Sequence, residues 1–146
     1  MRIYFLHHSA VCVALDQSLL VFDYYRFAHG KGIPDGHVSA DDIKAAGRAY
    51  VFVSHAHHDH FNRRIFDWAD IGVPVTFILD STVPATNVPQ GAVFLCRGET
   101  FDDGYIRVRE FGSTDMGGSF YVECEGKSFF HAGDLNDWHW KDDGNE

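Results

Sequence analysis

Five metal-competent side chains fall within six residues at His55-Ala56-His57-His58-Asp59-His60, and their spacing suits coordination of divalent cations. In extended backbone, residues two apart point the same way. His55 and His57 can therefore offer two imidazoles to one ion, while the turning chain lets Asp59 and His60 serve a second. Imidazole together with carboxylate suits zinc, iron or manganese. A solvated histidine tract of the tag kind is a poor account, since such tracts are terminal and this run is internal, directly after an apolar stretch.

That stretch, Ala49-Tyr50-Val51-Phe52-Val53, reads as a strand that delivers the histidines. Upstream, strands are expected near 2–6, 10–15 and 19–24. The Gly and Pro density of Gly30 to Gly36 marks a loop. Ser39 is placed as the N-cap of a short helix with Asp41 and Asp42 in its first turn and Gly47 ending it. Downstream, Asn62 to Ala69 carries Ile65, Phe66 and Trp68 among polar residues, which suits a helix packed on a sheet. Pro74 to Leu79 reads as the next strand, followed by strands near 92–96, 105–111, 119–124 and 127–131. Glu125-Gly126 between β-rich flanks is a hairpin signal. Strands, then helix–strand–helix–strand, then a meander fit an α/β (α+β) layered sandwich better than a doubly wound sheet. With no Gly-x-Gly-x-x-Gly or Walker element, nucleotide binding finds no support.

The run His-x-His-x-Asp-His at 55, 57, 59 and 60 resembles the signature of the metallo-β-lactamase-fold hydrolases. Strands ending at Ser18-Leu19-Leu20-Val21-Phe22-Asp23 are similar to that family's opening, with its early aspartate at Asp23. His8-Ser9-Ala10 resembles the Gly-His-Ala turn of the branch that includes the ascorbate-phosphate lactonases. Phe129-Phe130-His131-Ala132-Gly133-Asp134 resembles the Gly-Asp motif, whose carboxylate bridges two metals. The resemblance implies one αβ/βα sandwich domain over residues 1–146, or its N-terminal majority. Relatives continue beyond the Gly-Asp motif with more strands, helices and another histidine, so the expectation is either a minimal version of the fold or a piece whose second half is incomplete.

From the resemblance and the donors together, two divalent ions are expected, zinc foremost, with manganese or iron as alternatives. His55 and His57 would hold the first, Asp59 and His60 the second, and Asp134 would bridge. Where the family has a third histidine for the first ion, this chain reads Gly112-Ser113-Thr114-Asp115-Met116-Gly117-Gly118-Ser119, and counting back from Ser119 puts Asp115 in its place. His131, His139 and His8 are the other candidate donors. Two ions of this kind make hydroxide available at neutral pH and polarise a carbonyl or phosphoryl oxygen. The expected function is therefore a metal-dependent hydrolase acting on a small-molecule ester, lactone or phosphoester. Asp59 would orient the nucleophile or carry the leaving group's proton. The competing expectation is a non-catalytic or truncated metal-binding module of the same fold. Tyr24, Tyr25, Phe61, Trp138 and Trp140 are read as core first and pocket wall second.

Composition bounds the rest. Hydrophobic residues make up 45% of the chain and aromatics 15%, enough for a globular core and against disorder. A net charge of −9 with one adjacent basic pair, Arg63-Arg64, disfavours nucleic-acid phosphates as partners. Cys12, Cys96 and Cys124 are far apart in apolar runs and are expected to be buried and reduced. Neither a secretory h-region nor a membrane-spanning length is visible, so a reducing cytoplasm is the expected compartment. Oligomeric state is left open.

Overall fold

The computed structural model describes residues 1–27 and 30–135. Among the described residues, ten strands form two sheets. The first has order β1-β2-β3-β4-β5-β6, with β1 Arg2–His7, β2 Ala10–Ala14, β3 Leu19–Phe22, β4 Ala49–Val53, β5 Val75–Asp80 and β6 Val93–Leu95; the second runs β10-β9-β8-β7, with β7 Thr100–Asp102, β8 Ile106–Gly112, β9 Gly118–Cys124 and β10 Lys127–His131. β1, β2 and β3 pair antiparallel, whereas β3 to β6 are parallel. The second sheet is antiparallel throughout. This is the layered α/β sandwich expected from the element order.

The unbroken apolar run of β4 reflects burial on both faces, as parallel strands require. Ala49, Val51 and Val53 face one core beneath helix α1 (Ala40–Ala46) and a 3-10 helix at Arg63–Asp70, where Ile43, Ile65 and Trp68 are buried. Tyr50 and Phe52 face the second core, between the sheets, with Leu20, Ile78, Val108, Phe120 and Val122. Phe52 stacks on Phe22 with ring centroids 4.4 Å apart and tilts against Phe120 at 5.6 Å. Truncating Phe52 to Ala would cost about 3–5 kcal/mol.

Helix α1 starts where expected. Ser39 and Asp42 form a reciprocal capping box, and Gly47 closes the helix at φ 84. The segment after Asn62 is a 3-10 rather than an α-helix; its buried positions, Ile65 and Trp68, lie three apart, the 3-10 period. A further 3-10 turn, Ile33–Asp35, sits inside the expected loop. β7 was not anticipated, because its one apolar residue, Phe101, stands between polar neighbours on a sheet edge. Cys12 and Cys124 are buried, but Cys96 is exposed because β6 ends at Leu95. Among the described residues, no helix is long and apolar enough to cross a membrane.

Candidate metal centre

Parallel pairing of β3 with β4 matches Phe22 to Phe52, so Asp23 and Ser54 emerge side by side at the carboxyl ends of the strands, the usual ligand-binding edge of such sheets. Asp23 is fully buried at φ 49, a left-handed conformation that aspartate tolerates. Its Oδ1 accepts from the Ser54 amide at 2.7 Å, and its Oδ2 accepts from the Ser54 hydroxyl at 2.6 Å. With its proton committed to Asp23, Ser54 Oγ is left to accept from His55 Nδ1, 3.1 Å away. His60 Nδ1 lies 2.8 Å from Asp23 Oδ2 and donates to it. One buried carboxylate thereby sets the tautomer of two imidazoles and turns both Nε2 lone pairs outward, the way metal-binding histidines are held.

Those two Nε2 atoms are buried and have no hydrogen-bond partner. They converge on Asp134, with His55 Nε2 3.3 Å from Oδ2 and His60 Nε2 3.1 Å from Oδ1. A buried lone pair without a donor is costly, and a cation beside the Asp134 carboxylate would satisfy both nitrogens at once. Among the described residues, the donors fall into three overlapping groups: His55, His57 and Asp134; His55, Asp59 and His60; and His8, His60 and Asp134. Within each, the ligand atoms lie within 4.8 Å of one another. The donor set therefore fits the expected metal.

Electrostatics vary around the cluster. His55 is pushed below the ordinary imidazole value, first by burial and then by His60, against the pull of Asp134 and Asp23. Burial also works against charge on His60, but the hydrogen bond and charge of Asp23, with Asp134 and Asp59, outweigh it and raise its pKa. For Asp59, burial is outweighed by its backbone hydrogen bond and by His60 and His8, so its carboxyl is held below the usual range.

The backbone behind the cluster is crowded. A Cβ on Gly117, at φ 89, would lie 2.1 Å from Ser54 O and 2.4 Å from the His55 Cβ, and one on Gly133, at φ 57, would meet the Ser54 side chain at 2.9 Å. The Gly118 amide donates to Ser54 O at 2.9 Å, tying the second sheet to the histidine loop.

His55, His57, Asp59, His60 and Asp134 are thus brought together. Asp115, expected beside His55 and His57, is in none of the three groups. It is exposed in the turn before β9, where its Oδ1 accepts from the Met116 amide at 2.8 Å and its own amide donates to Ser113 Oγ. His131 gives Nε2–H to Ser9 O at 2.9 Å and stacks on Phe22. His139, Trp138 and Trp140 lie outside the described residues. Tyr24 is core, Tyr25 packs edge-on to His7 and His8, and Phe61 packs on Phe66. The residue that sequence reasoning passed over is Ser54; its hydroxyl, immediately before the first histidine, was the available signal.

No protein-family model matches the chain, and no curated protein sequence matches it. Solved structures do. Igni18, a metallo hydrolase from the hyperthermophilic archaeon Ignicoccus hospitalis, superposes with a TM-score of 0.63 at 17% identity over 91% of this chain and 60% of its own. CmlA, a diiron β-hydroxylase from Streptomyces venezuelae, gives 0.58 at 14% identity over 91% of this chain and 29% of its own. A "possible metal-dependent hydrolase" of Veillonella parvula gives 0.58 at 13% identity over 87% of this chain and 60% of its own. At these identities the likeness is one of fold. The chain spans less than two thirds of the length of each of these structures.

Proposed function

From the metallo-β-lactamase-like fold of this chain and its convergent histidine–aspartate cluster, we propose a metal-dependent hydrolase that holds two divalent ions and cleaves a small-molecule ester, lactone or phosphoester. The observation that carries this reading is the pair of buried, unpartnered Nε2 atoms of His55 and His60, both aimed at Asp134 through a shared Asp23–Ser54 relay. His55 and His57 would hold one ion and Asp59 and His60 the other, with Asp134 between them. Bound there, the ions would supply Lewis acidity toward a substrate oxygen and a water acidified toward neutrality.

The chain's own groups supply the rest. Asp23 keeps the imidazoles oriented. Asp59, whose carboxyl is kept below the usual range by its backbone hydrogen bond and then by His60 and His8, is a proton acceptor partly exposed where a leaving group could reach it. Zinc is the first candidate because three of the five gathered side chains offer imidazole; the two carboxylates leave manganese and iron open. A small-molecule substrate is favoured over nucleic acid by the net charge of −9.

The test is metal analysis after reconstitution, paired with hydrolysis of a panel of esters, lactones and phosphoesters. About two ions per chain are expected, with activity lost in His57→Ala and Asp134→Ala. Protein that folds natively and takes up no metal would remove the mechanism; bound metal without any activity would favour a non-catalytic module.

A further inference from the structure

His8 belongs to the hairpin joining β1 to β2, well away in sequence from the histidine run. His7 pairs with Ala10, so His8 and Ser9 form a two-residue turn. His8 sits there at φ 49, in the left-handed region where such turns ordinarily use Gly, Asn or Asp.

The side chain is aimed at the cluster. His8 Nε2 lies 2.9 Å from Asp59 Oδ2, and its ring meets that of His60 edge-on at 5.2 Å. With His60 and Asp134, it forms a group whose ligand atoms lie within 4.8 Å of one another. The turn is fastened on the same side, because Ser9 O receives the His131 Nε2–H three residues before Asp134. The flanking His7 packs against Tyr24 and Tyr25, and Tyr25 O accepts from Asn62 Nδ2 at 3.0 Å. The hairpin is thus anchored to segments on either side of the site.

We propose that His8 is a ligand of the second ion, together with Asp59, His60 and Asp134. This rests on the two-metal reading above and deepens it. The second ion then has two imidazoles and two carboxylates, the four donors of a closed site, whereas the first has His55, His57 and Asp134 and keeps a position for water or substrate. The asymmetry assigns the reacting position to the first ion and a charge-stabilising role to the second.

The experiment compares zinc binding by the wild-type chain, His8→Gly and His8→Asn, with the 15N shift of His8 Nε2 followed during titration of the wild type. Gly and Asn both accept the left-handed turn, so each metal-free variant should melt at or above the wild-type temperature. Expected are two ions on the wild type, an affinity for one of them at least ~10-fold weaker in both variants, and a His8 Nε2 resonance that moves as that ion binds. A His8 that merely holds Asp59 would weaken binding without moving its own nitrogen resonance, and that result overturns the proposal. So does unchanged affinity in both variants. A wild type that binds no zinc is a different outcome, since it removes the two-metal reading itself.

Discussion

At the amino ends of β3 and β4, Tyr50 gives its hydroxyl proton to Asp103 at 2.7 Å, Ser18 and Tyr105 both donate to Glu125 Oε2, at 2.5 and 2.7 Å, and the Arg48 guanidinium lies 4.0 Å over the Tyr105 ring. At the carboxyl ends of the same strands, the imidazoles of His55 and His60 are fully buried, yet their Nε2 atoms have no hydrogen-bond partner. The contrast extends beyond those two residues. Among the described residues, the buried side-chain polar atoms without a partner belong to His7, His37, His55, His60, Thr82, Glu110 and His131, all but Glu110, which lies within β8, at the carboxyl end of a strand or in a loop leaving one. The amino-end network bridges the two sheets with every buried atom satisfied, which is what stability asks for. The other end keeps polar groups unsatisfied, a cost that makes sense where something is to be bound.

Substitutions at the two ends should therefore move different observables. The largest gain in stability is expected at Glu110, a buried carboxyl on β8 with one oxygen unpartnered. Burial first, then the hydrogen bond to Asp80 and its charge, push its pKa from 4.5 to about 10. A raised acid pKa means that the folded chain stays protonated where the unfolded chain ionises. Its contribution is fully present below about 4.5 and is lost progressively as pH rises toward about 10. Glu110→Gln, which keeps an N–H for Asp80, should raise stability on the order of 2–3 kcal/mol at pH 7. Urea melts across pH 5 to 9 should show a flatter profile than the wild type; an unaltered slope would contradict the assignment.

Asp23→Asn comes next. Asparagine accepts the left-handed backbone but cannot receive all three donors, so the histidines lose their common orienter. Metal affinity should fall about 10–100-fold, as read by competition with a chromogenic chelator. At the opposite end, Tyr50→Phe should cost about 1 kcal/mol of stability and leave metal binding alone; a change in metal affinity there would dissolve the distinction between the ends. The smallest effect belongs to Asp115→Ala, with stability within about 0.5 kcal/mol and metal stoichiometry unchanged in calorimetric titration. A lost ion in that variant would restore Asp115 to the donor set.

Legibility divided along similar lines. β4 and the cap of α1 were readable because both signals are local: five apolar residues for a strand buried on two faces, and a Ser–Asp box closed by Gly47. The gathering of His55 through His60 was readable for the same reason. Asp115 was placed by counting along a motif, and counting says nothing about where a turn directs its side chain; this one points to its own backbone. β7 was invisible because its partner, not its composition, makes it a strand. The grouping of His8 with His60 and Asp134, and the convergence of His55 and His60 on Asp134, are tertiary facts that no window of sequence contains.

The donors that meet at the cluster come from very different distances along the chain. Four lie between His55 and His60, whereas His8 sits in the first hairpin and Asp134 follows β10. An unfolded or nascent chain already carries the contiguous four and can capture a cation with them, whereas His8 and Asp134 arrive only when the non-local pairings are complete, the slow part of a topology of this kind. Binding to the unfolded chain subtracts from the stabilisation a metal gives the native state, so only the distant pair makes the ion a reward for finishing. Cation present from the start of refolding should therefore slow recovery of native protein, and the same cation added after the sheets have closed should lock it in place.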